Sequence, residues 1–404
     1  MSAAASQQQI ATRSVVTALL PLMAVVFVVF LITGVALPAL PLHVHQGLGL
    51  GTFVVGLVAG SQFAASLVSR VWAGAYSDGR GAKRAVIAGL IMATAAGLLY
   101  LVSLRFLGAP LVSVTILLLG RGLLGGAESF TITAAQSWGL TLAGPNHAGK
   151  VIAWLGTAMY AAFAAGAPLG AALYAAYGFA AIAIATMLVP IATLLIIAPL
   201  RPVPPKPHLA LAFAKVASAV WAPGVGLAFT SVGFGAMTAF SVLLFVERGW
   251  EPAWLAYTAF AVAFMVPRIV LGHLADRMGG AKVALVFAII ESAGQALIWL
   301  SPWALLGFIG AAVTGFGYSL VYPGLGVEAV RRAPPQAQGL AIGVYTAYLD
   351  VALGILSPVL GRVAGFAGLG SIFLISALLA LCAIPIAARL LTPADPGEPI
   401  GETP

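Results

Sequence analysis

The chain has 404 residues, of which 61% are apolar and only 7% charged, and it carries a formal net charge of +8. Soluble domains hold about 45–50% apolar and roughly 25% charged residues, so a water-facing fold is excluded and the lipid bilayer is the expected solvent. The apolar runs are unbroken and of helical length, which excludes a β-barrel of segments alternating over about 10 residues; the single cysteine, Cys382, excludes an internal disulfide and argues against a cysteine metal site.

A span needs about 20 apolar residues, and twelve are predicted. Span 1 covers 15–40, too long for the apolar region of a signal peptide, and carries Phe27 and Phe30. His43 and His45 follow it and read as ordinary loop histidines rather than an outer metal pair. Span 2 (52–77) ends in the charged stretch "SRVWAGAYSDGRGAKR", which contains Arg70, Gly74, Asp78, Arg80, Gly81, Lys83 and Arg84. Span 3 covers 85–106. Span 4 (110–142) holds Arg121, Gly125 and Glu128 at i, i+4 and i+7, one face of a helix. Span 5 (150–176) contains "GAPLG", with Gly166, Pro168 and Gly170, and span 6 covers 178–199. A stretch rich in proline and cations, "LRPVPPKPHLALAFAK", reads as a connector.

Span 7 (217–245) carries Phe234. Span 8 (253–275) closes on "PRIVLGHLADRMGGAK", where Arg268, Gly272, Asp276 and Gly279 repeat Arg70, Gly74, Asp78 and Gly81 at an offset of 198 residues, with Arg277 beside them. Span 9 (283–301) contains Glu291, which is expected to pair with Arg268. Span 10 (303–329) contains Tyr318, Tyr322 and, near its end, Glu328. Span 11 (339–363) places Asp350 in a stripe of small and polar residues: Gly339, Gly343, Thr346, Gly354, Ser357 and Gly361. Such a stripe packs against a neighbouring helix. Span 12 covers 368–391.

With the N-terminus inside, thirteen of the 19 Lys and Arg fall in cytoplasmic segments. Three (Arg105, Arg248, Arg362) fall outside, and Arg70, Arg121 and Arg268 lie within spans. The positive-inside rule then predicts that both termini are cytoplasmic. The repeat divides the chain into an N-terminal six-helix half (1–200), a cytoplasmic connector (201–216), a C-terminal six-helix half (217–391) and a cytoplasmic tail (392–404). Parallel halves of this kind are a transporter architecture, with the substrate site at their interface.

On these residues the chain resembles the major facilitator superfamily. Gly74, Asp78, Gly81 and Lys83 match its loop 2–3 signature Gly-x-x-x-Asp-x-x-Gly-x-Lys/Arg, and Gly272, Asp276, Arg277 and Gly279 match the second copy, with the lysine displaced to Lys282. Arg121 and Gly122 match the Arg-Gly of span 4. The exporters' Gly-Pro motif of span 5 is interrupted by Ala167. The combination of "GRGLLGGAES", "GPNHAGKV" and "GAPLG" is similar to a bacterial branch of arabinose-efflux-like permeases, a label that says little about substrate. The resemblance implies an all-α membrane protein of twelve transmembrane helices in two pseudo-symmetric halves.

It also implies that spans 2 and 11 face each other, so that Asp78 meets the positive end of span 11's dipole and holds the cytoplasmic side shut, with Gly74 permitting close helix approach. Arg70 lies about one turn from Asp350 in that register and, with Arg268, is read as a cation of inter-half ion pairs. Spans 1, 4, 7 and 10 would line the cavity, which makes Glu128 of span 4 a proton-coupling carboxylate with Arg121 beside it; Asp350, in the stripe of span 11, is the second such candidate. Phe27, Phe30, Phe234, Tyr318 and Tyr322 become candidate substrate contacts.

The expected function is export of small organic molecules in exchange for protons, with proton-coupled import of a metabolite, or lipid or lysolipid transport, as alternatives. The absence of a P-loop argues against ATP drive, and the absence of a clustered nucleophile or metal set argues against an enzyme. Expected partners are a small organic substrate, protons and the bilayer of a bacterial inner membrane, for a monomer with no nucleic acid, cofactor or metal.

Overall fold

The computed structural model describes residues 2–143, 148–203, 213–272, 274–334 and 338–391. Among the described residues there is no strand. Thirteen α-helices follow one another: α1 (Ser2–Leu42), α2 (Thr52–Arg80), α3 (Ala82–Ser103), α4 (Pro110–Ala143), α5 (Ala148–Tyr177), α6 (Phe179–Ile197), α7 (Phe213–Glu247), α8 (Trp254–Val270), α9 (Leu274–Met278), α10 (Gly280–Leu300), α11 (Ala304–Arg332), α12 (Gln338–Ala367) and α13 (Gly370–Arg389). Eleven are long and apolar enough to cross a membrane, and α8 is a shorter apolar helix of 17 residues. Spans 1–8 are therefore α1–α8, and spans 9–12 are α10–α13. The long fourth and tenth runs are single helices of 34 and 29 residues; at 1.5 Å per residue both exceed the roughly 30 Å hydrocarbon core. The tail 392–404 and most of the connector, 204–212, lie outside the described residues.

The two copies of the repeated signature differ in backbone. The first stays helical through Arg80. The second breaks: α8 stops at Val270, ahead of Gly272, and α9 resumes at Leu274. Pro267 lies inside α8, where its ring removes an amide donor and weakens the final turn. Both copies nevertheless end on a glycine of the same conformation, Gly81 at φ 92°, ψ 144° and Gly279 at φ 90°, ψ 140°. A positive φ of this kind is open to glycine and strained for other residues, which accounts for the recurrence of these two positions.

The helices gather into two units. The first comprises residues 1–209, 235–262 and 353–372. Within it α1 packs on α5, α4 and α6, while α3 packs on α4 and α6 and α2 on α4. Leu19, Leu22, Trp138, Val151 and Leu155 belong to its core. The glycines of the span 5 motif are where α1 and α5 meet most closely. A Cβ on Gly166 would lie 2.8 Å from the Gly34 Cα, and one on Gly170 would collide with the Val35 carbonyl. The outer part of the α12 stripe packs on α2 in the same unit: Gly56 opposes Ser357, Gly60 opposes Gly354, and Thr52 Oγ1 donates to Gly361 O at 2.7 Å.

The second unit comprises residues 210–234, 263–352 and 373–404. α10 lies along α11, and Val220, Phe287, Leu325 and Tyr345 belong to its core. Gly294 and Gly317 let these two helices touch: a Cβ on either would strike the facing backbone, at Thr314 and Glu291 respectively.

Candidate functional site

In the first unit α1, α2 and α4 bring three polar side chains together inside apolar packing. Glu128 on α4 is 6% exposed. Its Oε1 accepts a 2.6 Å hydrogen bond from Thr33 Oγ1 on α1 and a 2.7 Å bond from Gln62 Nε2 on α2. The close approach is possible because Gly125 lies one turn before Glu128; a Cβ there would collide with the Gln62 carbonyl. Thr33 Oγ1 is also 3.2 Å from Val29 O. Its single proton therefore has two acceptors to choose between.

Further along α2, Ser66 Oγ and Ser129 Oγ lie 2.8 Å apart, Ser129 Oγ donates to Ser66 O at 2.9 Å, and Arg70 Nη2 reaches Ser66 Oγ at 3.4 Å. Gln62, Ser66 and Arg70 stand at i, i+4 and i+8, a polar row on one face of α2.

Arg121 is 1% exposed. Its Nε donates weakly to Val58 O at 3.4 Å, and its Nη1 has no hydrogen-bond partner among the described residues. The buried Tyr100 ring lies within electrostatic reach of both Arg121 and Glu128. Arg121 also borders a small cavity with Leu37, Leu40, Val55, Val58 and Thr238.

The signature residues are placed as follows. Lys83 Nζ donates to the Ala198 and Leu200 carbonyls at 2.8 and 2.7 Å, tying the start of α3 to the end of α6, where a cation complements the helix dipole. Arg80 lies 5.1 Å over the Tyr76 ring, and Asp78 is half-buried. Among the described residues no neighbouring atom lies within 4 Å of the point where a Gly74 Cβ would sit. In the second copy Arg277 is exposed, Gly272 lies in the break after α8, and the Asp276 side chain falls outside what the structure describes. Arg268 lies 4.6 Å over the Phe264 ring.

The expected Arg268–Glu291 pair does not form: neither Glu291 oxygen has a hydrogen-bond partner among the described residues. Arg70 is half-buried in the first unit, and Asp350 is 2% exposed in the second. Glu328 accepts from the Ala281 amide at 3.3 Å and pairs with Arg331 at 3.2 Å and with Arg332.

The candidate substrate aromatics are largely packed. Phe30 is 6% exposed and meets Phe163 edge-on at 5.5 Å, and Phe27 packs against the same core. Phe234 stacks on Tyr318 at 5.5 Å, and Tyr318 OH lies 3.2 Å from Ser231 Oγ. Tyr322 OH lies 2.9 Å from Thr346 Oγ1. His43 stacks on Phe179 at 4.1 Å, while the exposed His45 lies 2.8 Å from Leu50 O. Among the described residues no group of three or more His, Cys, Asp or Glu is placed to hold a metal. Thr33, Gln62, Ser66 and Ser129 are site residues that the sequence alone did not mark out. The available signal was an amide and hydroxyls at mid-span in otherwise apolar helices.

Apolar helices of membrane-crossing length around buried polar and charged side chains define a multi-pass helical membrane protein. The family follows from comparison: the Major Facilitator Superfamily model matches residues 22–267 and 249–404, and the chain belongs to that family. An uncharacterised MFS-type transporter of Salmonella typhimurium is 42% identical over 368 residues, covering 91% of this chain and 95% of that protein. An uncharacterised MFS-type transporter of Escherichia coli, YhhS, is 37% identical, covering 90% of each chain. The structure is similar to those of a D-xylose–proton symporter (TM-score 0.74, 13% identity, covering 91% of this chain and 96% of that one) and the nucleoside transporter NupG (TM-score 0.73, 14% identity, covering 93% and 100%). At these identities the likeness concerns fold. The chain is a membrane transporter of this superfamily, and its relatives are transporters rather than enzymes.

Proposed function

We propose that the protein exports small organic molecules in exchange for protons by alternating access, with Glu128 as the coupling carboxylate. In this reading both termini are cytoplasmic in a bacterial inner membrane, and the transporter is a monomer. The observation that carries the reading is the setting of Glu128: 6% exposed, with neutral donors from two different helices on one oxygen. An intramembrane carboxyl is costly and calls for a function. The two donors on Oε1 stabilise its ionised form through hydrogen bonds. When the carboxyl takes up a proton, Thr33 is free to turn its hydroxyl to Val29 O. Arg121 supplies a cation on the same helix, and the row Gln62, Ser66, Arg70 offers polar stepping points along α2. Asp350 is the second candidate carrier.

Ala167, which interrupts the exporters' Gly-Pro pair, favours a second reading, proton-coupled import of a small metabolite; lipid or lysolipid transport is a third. The test is uptake of a substrate panel, lysolipid included, into inverted and right-side-out vesicles under an imposed pH gradient, with a C-terminal tag reporting the orientation of each preparation. Export by exchange predicts accumulation in inverted vesicles that are acidic inside. Accumulation only in right-side-out vesicles that are acidic outside would replace it with import. Tag exposure on the outer face of right-side-out vesicles would sink the proposed orientation.

A further inference from the structure

We propose that Glu291, in the second unit, is a further proton-binding site, closed by α7 at Gly233 and independent of Glu128. Glu291 is 0% exposed, and so is Gln295 one turn later. Both carboxyl oxygens of Glu291 and the Oε1 of Gln295 lack hydrogen-bond partners among the described residues. Three acceptor oxygens thus stand in an apolar interior. An ionised carboxylate buried without a partner is among the most unfavourable arrangements a protein can hold, and such a group neutralises instead. Binding one proton removes the charge and supplies the missing donor.

The surroundings support this assignment. Glu291 is clamped between two glycines. A Cβ on Gly317 of α11 would strike its backbone nitrogen, and a Cβ on Gly233 of α7 would strike its Oε1. Gln295 Nε2 donates to Gly233 O at 3.2 Å, holding α7 over the carboxyl. α7 leaves this unit between Phe234 and Gly235, so the lid over the carboxyl is the last turn of α7 that belongs to it.

No packed element brings a compensating charge among the described residues. On α11 Tyr318 follows Gly317, and its hydroxyl is engaged with Ser231 of α7, while Tyr322 bonds to Thr346. Glu328, Arg331 and Arg332 lie further along α11. The charged residues of α7 are Lys215 and Glu247, near its two ends. α13 meets α10 through Ala377 O, which accepts from Ser292 at 2.9 Å, and its one charged residue is the terminal Arg389. Arg268 of α8 lies over Phe264.

Infrared spectroscopy of the purified protein in lipid tests this directly, because a protonated carboxyl has a carbonyl stretch distinct from that of a carboxylate. The expected result is a protonated-carboxyl band at neutral pH that is lost in Glu291→Gln and kept in Glu128→Gln. It should fade as pH is raised and be indifferent to sodium at fixed pH. A Glu291→Gln spectrum identical to that of the wild type at every pH would overturn the proposal. A band that persists at every pH at which the protein stays folded would also overturn it, since that proton never leaves. Loss of the band on adding sodium would assign the oxygens to an alkali cation instead. Should Glu291→Gln fail to fold, Gly233→Ala is read in its place: the new methyl meets Oε1, so the band must shift, and an unshifted band contradicts the lid.

Discussion

Two short hydrogen bonds, from Thr33 and Gln62, reach one oxygen of Glu128. Each donor stabilises the ionised carboxylate more than the acid. Thr33→Val keeps the shape of the side chain and removes one donor; Gln62→Leu removes the other. A hydrogen bond to a charged group contributes about 1.5–3 kcal/mol, and about 1.4 kcal/mol is a tenfold change in affinity for the proton. Either variant should therefore hold its proton more tightly by roughly tenfold or more, and the pH–rate profile of transport should move to higher pH. A profile that stays in place while the rate falls would mean the two donors only pack the helices. The carboxyl itself was legible in the sequence, because a charged residue at mid-span is conspicuous. Its donors were not, since a threonine or glutamine in a span carries no mark of which helix it will face. Glu291 is the converse case: its charge was plain, but the assumption that it needs Arg268 as partner failed, because Arg268 is engaged by an aromatic ring.

At the scale of elements, glycine decides which helices touch. Gly166 and Gly170 of α5 face Gly34 and Val35 of α1 with no room for a side chain, whereas Gly156 on the same helix has no atom within 4 Å of its would-be Cβ. Gly170→Ala should force the two helices apart and destabilise the protein by about 1–3 kcal/mol, as overpacking does. Gly156→Ala should be neutral or slightly stabilising, since alanine is the better helix former. Thermal unfolding in detergent checks both, and equal melting of the two variants would show that the α1–α5 seam is not tight. The helices were legible from apolar run length alone, and the boundaries agree within two residues for spans 4, 5, 6 and 12. The break after Val270 departs from the single span predicted over 253–275, because Pro267 weakens the last turn of α8. Nor did pattern reveal that Gly81 is needed for its backbone angle.

For the whole molecule, composition, span count and the duplicated signature were enough to indicate a superfamily transporter, and the family match over nearly the full chain agrees. The cavity lining was less legible, because assigning aromatics to a substrate wall assumes which helix face is open; Phe30 and Tyr318 are buried against other rings. The central claim is that a single buried carboxyl in the first unit couples a proton gradient to substrate movement. Uphill transport in vesicles under an imposed pH gradient, wild type against Glu128→Gln, tests it most directly. Glutamine keeps the size of the side chain but cannot release a proton. The variant should bind substrate and retain downhill exchange while accumulation against the gradient is lost. Accumulation by Glu128→Gln at the wild-type rate would contradict it and pass the role to Asp350.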